Sequence, residues 1–341
     1  MSLSSSPNSD SQTIPAEELA NAARWLQALR SEIGKAVVGQ AEVIDQTLTA
    51  LVASGHVIIE GVPGLGKTLL ARALAQALQL RYARVQFTPD LMPSDVTGHA
   101  VLDPPAPGER GIGTLRIRQG PVFTHLLLAD EINRAPAKTQ SALLEVMQEY
   151  QVTLEGNAMP LPRPFMVLAT QNPVDTEGTY PLPEAQMDRF LLKINIDYPN
   201  AQEERAIVQR TTQQRMGDQL PLDTVQPVLA EPQVLDLQHL AARVQADERV
   251  IDYAVRIARA TREWPGLSSG AGPRGAVALV RAARAAALMA QRDFITPDDV
   301  ARQTLPALRH RVQVSPDAQL EGMSVDNLLR AALGSVEAPR L

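Results

Sequence analysis

The stretch His56-Val-Ile-Ile-Glu-Gly61-Val-Pro-Gly-Leu-Gly66-Lys67-Thr68 decides how the rest of the chain is read. Its first part is a short apolar run ended by a Gly/Pro cluster, the pattern of a buried strand. Its last part opens a helical pattern from Lys67 to Leu80, with Leu69, Leu70, Ala73, Leu74, Ala77 and Leu78 on one apolar face. Between them stands a full G-x-x-x-x-G-K-T. Glycines let the backbone curl so that successive N–H groups and a helix N-terminus converge on one point, which suits a chain of phosphates. Gly61, Pro63, Gly64, Leu65, Gly66, Lys67, Thr68 and Leu69 are therefore the expected contacts of a nucleotide. Lys67 can reach the β- and γ-phosphates, and the Thr68 hydroxyl can ligate Mg²⁺. A mere turn between strand and helix is the plainer alternative, and the strand before and helix after count against it.

A second run, His125-Leu-Leu-Leu-Ala-Asp130-Glu131, ends a buried strand in two carboxylates, at the sheet edge where α/β folds bind ligands. Asp130 is expected to hold Mg²⁺ through its water shell. Glu131 is expected to take the proton from the attacking water, or to orient it. A third strand ends in Ala169-Thr-Gln-Asn172-Pro173, where a neutral amide could hydrogen-bond that water; taken alone, Asn-Pro is more often a turn initiator. Two arginines stand out, Arg189 before the last strand and Arg274 in Gly270-Ala-Gly-Pro-Arg274-Gly. A guanidinium on the charge that accumulates during phosphoryl transfer can add ~10³–10⁵ in rate.

Strand patterns recur at 82–87, 125–130, 165–170 and 191–196, with helical patterns at 15–36, 41–52 and 139–150. Alternation of this kind predicts an α/β domain with a largely parallel sheet over 15–199. After Pro199 the strand signals stop, and helices are expected at 202–215, 234–246, 250–264, 274–291 and 297–308, forming a lid domain over 200–312. Thr296-Pro297 reads as a cap followed by a first-turn proline. Residues 313–341 are left as a C-terminal segment with room for a short final helix. Two stretches interrupt the sheet pattern. Residues 96–122 carry possible strands at 99–102 and 114–118, and 151–164 reads as a hairpin turning at Gly156-Asn157.

The chain has 341 residues, 32 Lys+Arg and 38 Asp+Glu, for a net charge of −6. That length suits two domains. Cysteine is absent, which excludes disulfides, thiolate metal sites and cysteine nucleophiles. The five histidines, His56, His99, His125, His239 and His310, lack zinc spacing. Residues 1–14 read as a disordered tail, and no apolar run approaches the ~20 residues that span a bilayer. A cytoplasmic protein without membrane insertion is the default. The acidic balance makes nucleic acid an unfavoured partner.

The order of these motifs resembles the AAA+ ATPases. More narrowly, Val38-Gly39-Gln40, Gly61 to Thr68, Asp130-Glu-Ile-Asn-Arg-Ala-Pro136, Ala169 to Pro173 and Pro181-Leu-Pro-Glu-Ala-Gln-Met-Asp-Arg-Phe190 look like the MoxR family. The resemblance covers about 33–309. It implies an α/β P-loop ATPase core with a five-stranded parallel sheet and an all-helical C-terminal lid, using ATP and Mg²⁺. It places Val38, Gly39 and Gln40 near the adenine, makes Asn172 sensor 1 and Arg189 an arginine finger reaching a neighbouring subunit, and makes Arg274 sensor 2, in cis or in trans. Residues 96–122 correspond to a helix-2 insert and 151–164 to a pre-sensor-1 hairpin. The family works as ring homo-oligomers, commonly hexamers, that remodel or mature client proteins, often beside proteins with a von Willebrand factor A domain. A finger supplied in trans means that an isolated subunit hydrolyses slowly. A metal-chelatase motor subunit shares nearly every motif. A helicase-type motor would place Lys or Arg at the hairpin tips, where Glu155-Gly-Asn157 and Glu109-Arg110 stand instead. A scaffold without turnover would have no need of Asp130, Glu131 and Arg189.

Overall fold

Five short strands form a single sheet: β1 (Val57–Glu60), β2 (Tyr82–Gln86), β3 (Leu126–Asp130), β4 (Met166–Gln171) and β5 (Leu192–Asn195). They lie in the order β2-β3-β4-β1-β5 with every neighbouring pair parallel. The structure is a computed structural model that describes residues 13–103, 114–172, 179–212 and 219–340. Side chains alternate between the faces, as the pleat requires. Val57, Ile59, Leu126, Leu128, Met166, Leu168, Leu192 and Ile194 point into one core, and Ile58, Val85, Leu127, Ala129, Val167 and Ala169 into another. Burial on both faces explains why β1, β3 and β4 read as apolar runs, whereas the edge strands β2 and β5 carry Arg84, Gln86, Lys193 and Asn195.

The first core is closed by α1 (Ala16–Ala36), α2 (Ala41–Val52) and α3 (Lys67–Ala77), the second by α4 (Ala137–Glu149). Residues 1–12 of the expected tail lie outside the described residues, whereas Ile14 is only 3% exposed and joins the first core. Helix α3 stops three residues short of the expected Leu80. Gln79 takes a left-handed φ of 50°, and the Leu80 N–H returns to Ala75 O at 3.1 Å, so a Schellman-type turn ends the helix although the apolar period continues.

Both interruptions of the sheet are antiparallel hairpins. Gly98–Asp103 pairs with Thr114–Gln119; their connection, with Glu109 and Arg110, lies outside the described residues. Gln151–Leu154 pairs with Asn157–Pro160 through Glu155 and Gly156, at φ 49° and 78°. The turn therefore sits one residue before the expected Gly156-Asn157. A two-residue turn of this hand needs positive φ at both central positions, which the Leu154–Asn157 pairing assigns to Glu155 and Gly156.

Past Pro199 come α5 (Ala201–Thr212), α6 (Glu231–Arg243), α7 (Glu248–Ala260), α8 (Pro273–Met289) and α9 (Pro297–Leu308), the helical lid. Thr296 Oγ1 accepts from Asp299 N at 3.3 Å while the Asp299 carboxylate accepts from Thr296 N at 2.8 Å, closing a reciprocal cap around Pro297. One feature was not expected here. Leu267–Ser269 pairs antiparallel with Gln313–Val314, too short a ladder to show alternation in sequence. The short final helix for which the C-terminal segment left room is α10 (Val325–Gly334), which buries Leu328, Leu329 and Ala332 against α7 and α9. Helix α8 packs on α1 and α2, and α9 on β5, so one apolar core runs from the sheet into the lid.

His56 lies in the turn before β1, 4% exposed, with Nδ1 accepting from Val167 N at 3.0 Å and Nε2 donating to Met147 O at 3.2 Å. Burial pushes its pKa from 6.5 down to about 4. The unfolded chain then binds a proton that the folded one refuses, so stability present above pH 6.5 is lost as pH falls toward 4. Burial also drives His310 down, with the same sign. Chemical denaturation is expected to show a loss of about 2 kcal/mol from His56 between pH 7 and 5, where most carboxylates stay ionised. A flat profile over that interval would contradict it.

Candidate functional site

Parallel strands end together, and the C-terminal edge of this sheet gathers most of the singled-out residues. The loop after β1 starts at Gly61, where an added Cβ would lie 2.7 Å from Ile196 O. It ends at Gly66, in the left-handed region at φ 81°, which serves as N-cap of α3 without any side-chain cap. Gly64 shares that conformation at φ 88°. Gly66 supplies no side-chain cap to the start of α3, and a glycine-rich turn leading into a helix N-terminus is an anion-binding arrangement. Lys67 Nζ donates to Gly61 O at 2.6 Å, spanning the loop that Pro63 and Leu65 complete. Thr68 and Leu69 form the half-buried first turn.

Asp130 ends β3, 9% exposed. Its Oδ1 accepts from the Thr170 hydroxyl at 2.6 Å, and its Oδ2 from Arg84 Nη2 at 2.7 Å. Thr170 Oγ1 in turn accepts from Glu131 N at 2.8 Å. One hydroxyl therefore ties both acidic residues to β4. Glu131 sits at a left-handed φ of 55°, an unfavourable conformation for a residue with a Cβ. Its Oε2 accepts from Gln86 Nε2 at 2.9 Å and from Arg134 Nε at 3.1 Å. Asn172 follows β4 and is buried. Val38, Gly39 and Gln40 adjoin the same edge. Gly39, at φ 73°, packs against the Glu203 side chain, and Gln40 Nε2 donates to Asp197 O at 3.2 Å, one residue past the Ile196 that contacts Gly61.

Arg189 and Arg274 are elsewhere. Arg189 precedes β5, and Leu191 N bonds His56 O just before β1, so Arg189 lies at the N-terminal edge of the sheet. About six strand residues at ~3.3 Å each separate that level from the phosphate loop, roughly 20 Å and beyond one arginine's reach. Arg274 opens α8 and faces Asp188 at 3.7 Å. With Arg281 and Arg311 the two line a cleft of about 290 Å³, whose walls also include His56 and Tyr150. Arg189 Nε is buried without a hydrogen-bond partner among the described residues. Burial pulls the Arg281 and Arg311 pKa values down, with Asp188 opposing the shift at Arg311.

The residues that sequence reading missed are Arg84, Gln86, Thr170 and Arg311. Thr170 stood inside a quoted motif, and a hydroxyl on a buried strand beside a carboxylate strand was the available signal. Nothing local marks the other three.

A parallel sheet with a glycine-rich phosphate loop after β1, an acidic pair after β3 and a helical lid defines the P-loop ATPase class. Residues 56–192 match the ATPase family associated with various cellular activities, and residues 259–332 match the AAA lid domain. Chaperone MoxR1 of Mycobacterium tuberculosis is 40% identical over 347 aligned residues, covering 99% of this chain and 89% of that protein. YeaC of Bacillus subtilis is 42% identical over 307, covering 90% and 92%. The crystal structure of a Cytophaga hutchinsonii protein described as an ATPase superposes with a TM-score of 0.85 at 38% identity, covering 95% and 98%. The chain belongs to the MoxR family of AAA+ ATPases. Among the described residues no helix is long and apolar enough to cross a membrane.

Replacing Thr170 by Val would leave the Asp130 Oδ1 and the Glu131 N–H without their buried partner. Thr170→Val is expected to cost about 1–3 kcal/mol in denaturant unfolding, and Thr170→Ser to recover most of it. Equal stability of the two variants would contradict this role.

Proposed function

We propose that the chain hydrolyses ATP with Mg²⁺ in a ring of identical subunits and uses the cycle to remodel or mature client proteins. The observation that carries this reading is the separation of Arg189 and Arg274 from the phosphate loop of their own chain, with both arginines on one cleft at the opposite sheet edge. Two arginines that cannot reach their own γ-phosphate can reach a neighbour's when subunits join head to tail, and such contacts close into rings. The shared cleft supports Arg274 acting in trans beside Arg189, of the two options its sequence left open.

The residues at the C-terminal edge fit a nucleotide. The left-handed Gly64 and Gly66 leading into the start of α3 would offer backbone N–H groups to phosphate oxygens, and Lys67 adds a charge that can leave Gly61 O for them. Val38, Gly39 and Gln40 border the place where a base would lie. Among the described residues no cluster of three or more His, Asp or Glu could hold a metal alone, so Mg²⁺ would rest on Thr68, phosphate oxygens and the waters that Asp130 holds. When bound, Mg²⁺ neutralises charge on the β- and γ-phosphates. Glu131, anchored by Gln86 and Arg134, stands next to Asp130 to take the proton of the attacking water, and Asn172 orients that water from β4. Arg189 stabilises the charge that develops on the neighbour's γ-phosphate, worth ~10³–10⁵ in rate.

The carboxylate-bearing tip at Glu155 and Gly156 supports a protein client over nucleic acid, whose phosphates it would repel. The name of the M. tuberculosis relative as a chaperone supports the same client class. On the family resemblance, six subunits and a partner with a von Willebrand factor A domain are the expected assembly.

Glu131→Gln is expected to retain ATP binding and to lose turnover by at least about a hundredfold, at the low end for a general base; unchanged turnover overturns the assignment. Arg189→Ala and Lys67→Ala subunits are each expected to be inactive and, mixed, to regain turnover at interfaces that pair an intact loop with an intact finger. Inactivity at every mixing ratio would overturn action in trans.

A further inference from the structure

Arg311 follows α9, yet its side chain serves the sheet domain. It is 4% exposed, and its Nε donates to Asp188 Oδ1 at 2.7 Å. Nη2 donates to Asp188 O at 3.2 Å and to Phe190 O at 2.6 Å, and Nη1 to Leu191 O at 3.2 Å. Nη1 also contacts Ala307 O and lies 2.7 Å from His310 Nε2. The acceptors on residues 188–191 bracket Arg189 on both sides. Phe190 itself is fully buried in the second core.

The same carboxylate reaches further. Asp188 Oδ1 takes the Arg311 guanidinium and Oδ2 faces Arg274 Nη1. The first turn of α8 presses on this group as well, since a Cβ at Gly275 would meet Leu308 at 3.0 Å and the Arg311 side chain at 3.6 Å. A planar fork with five N–H donors can satisfy this set of acceptors, and an ammonium cannot. We propose that Arg311 is a positioning residue through which the lid fixes the turn carrying Arg189 and, by way of Asp188, the pose of Arg274, so that both arginines are presented to a neighbouring subunit as one unit. This rests on the reading of Arg189 as a finger acting in trans.

Arg311→Lys keeps the charge and loses the fork. It is expected to lower turnover about tenfold or more while the ATP affinity of each subunit stays within about twofold, because its own phosphate loop lies at the far edge. Mixing it with Lys67→Ala subunits, whose Arg189 turn is intact, is expected to restore turnover; a general structural defect would not be repaired this way. Arg189→Ala mixed with Lys67→Ala runs in parallel. Unchanged turnover of Arg311→Lys overturns the positioning role, as does failure of its mixture where the Arg189→Ala mixture recovers. Failure of the Arg189→Ala mixture overturns the finger reading itself, and positioning with it. Should Arg311→Lys fail to bind ATP or assemble, Asp188→Asn, which keeps shape and one acceptor, is judged by the same two criteria.

Discussion

Because β1 runs parallel to both of its neighbours, whatever follows a strand emerges at one edge of the sheet and whatever precedes a strand collects at the other. The rest of the molecule is arranged by that polarity. The phosphate loop, Asp130-Glu131 and Asn172 all follow strands; Arg189 precedes one. A reversal of β5 alone would bring Arg189 to the same edge as the phosphate loop of its own chain, and the proposed action in trans would lose its geometric basis. The parallel register of Val57 with Leu192 and Glu60 with Asn195 is thus what places the arginine cleft at the edge opposite the phosphate loop, the placement on which the proposed action in trans rests.

Buried strands create a second demand, which their polar ends must meet. Asp130 and Thr170 sit where apolar strands meet the ligand edge, and neither tolerates an unpaired polar atom at such depth. They satisfy each other, Arg84 completes the carboxylate, and the spare lone pair on the Thr170 hydroxyl holds the Glu131 N–H. The left-handed backbone of Glu131 is sustained by this bond and by Gln86 and Arg134 on its carboxylate. Local strain at an acidic residue is here held by long-range contacts.

The core of the fold was legible because its signals are local. A G-x-x-x-x-G-K-T between strand and helix, apolar strands ending in Asp-Glu, and helical periods after Pro199 each follow from a few adjacent residues. The misses share one cause. The end of α3 at Gln79 and the turn at Glu155-Gly156 are set by φ and by pairing partners, which apolar patterning does not encode. Arg84, Gln86 and Arg311 are ordinary polar residues until β2 lies beside β3 and α9 against β5. Arg311 is separated from Asp188 by 123 positions, and no pattern within a window reports such a pair.

The charge distribution acquires a meaning at this point that the total of −6 lacked. Arg189, Arg274, Arg281 and Arg311 converge on one cleft with Asp188 as the countercharge among its lining residues, against an otherwise acidic chain. Burial lowers the pKa of both Arg281 and Arg311, and at Arg311 the nearby Arg274 and Arg281 charges add to that cost while Asp188 opposes it. Such a cluster is tolerable where an anion completes it. At physiological salt the field of exposed charges fades over ~8 Å, so the cleft attracts little from a distance. On the action in trans proposed above, a γ-phosphate carried to the cleft by a docked neighbour would arrive inside that range. On that reading the basic cleft favours assembly, a consequence that the net charge of −6 by itself does not indicate.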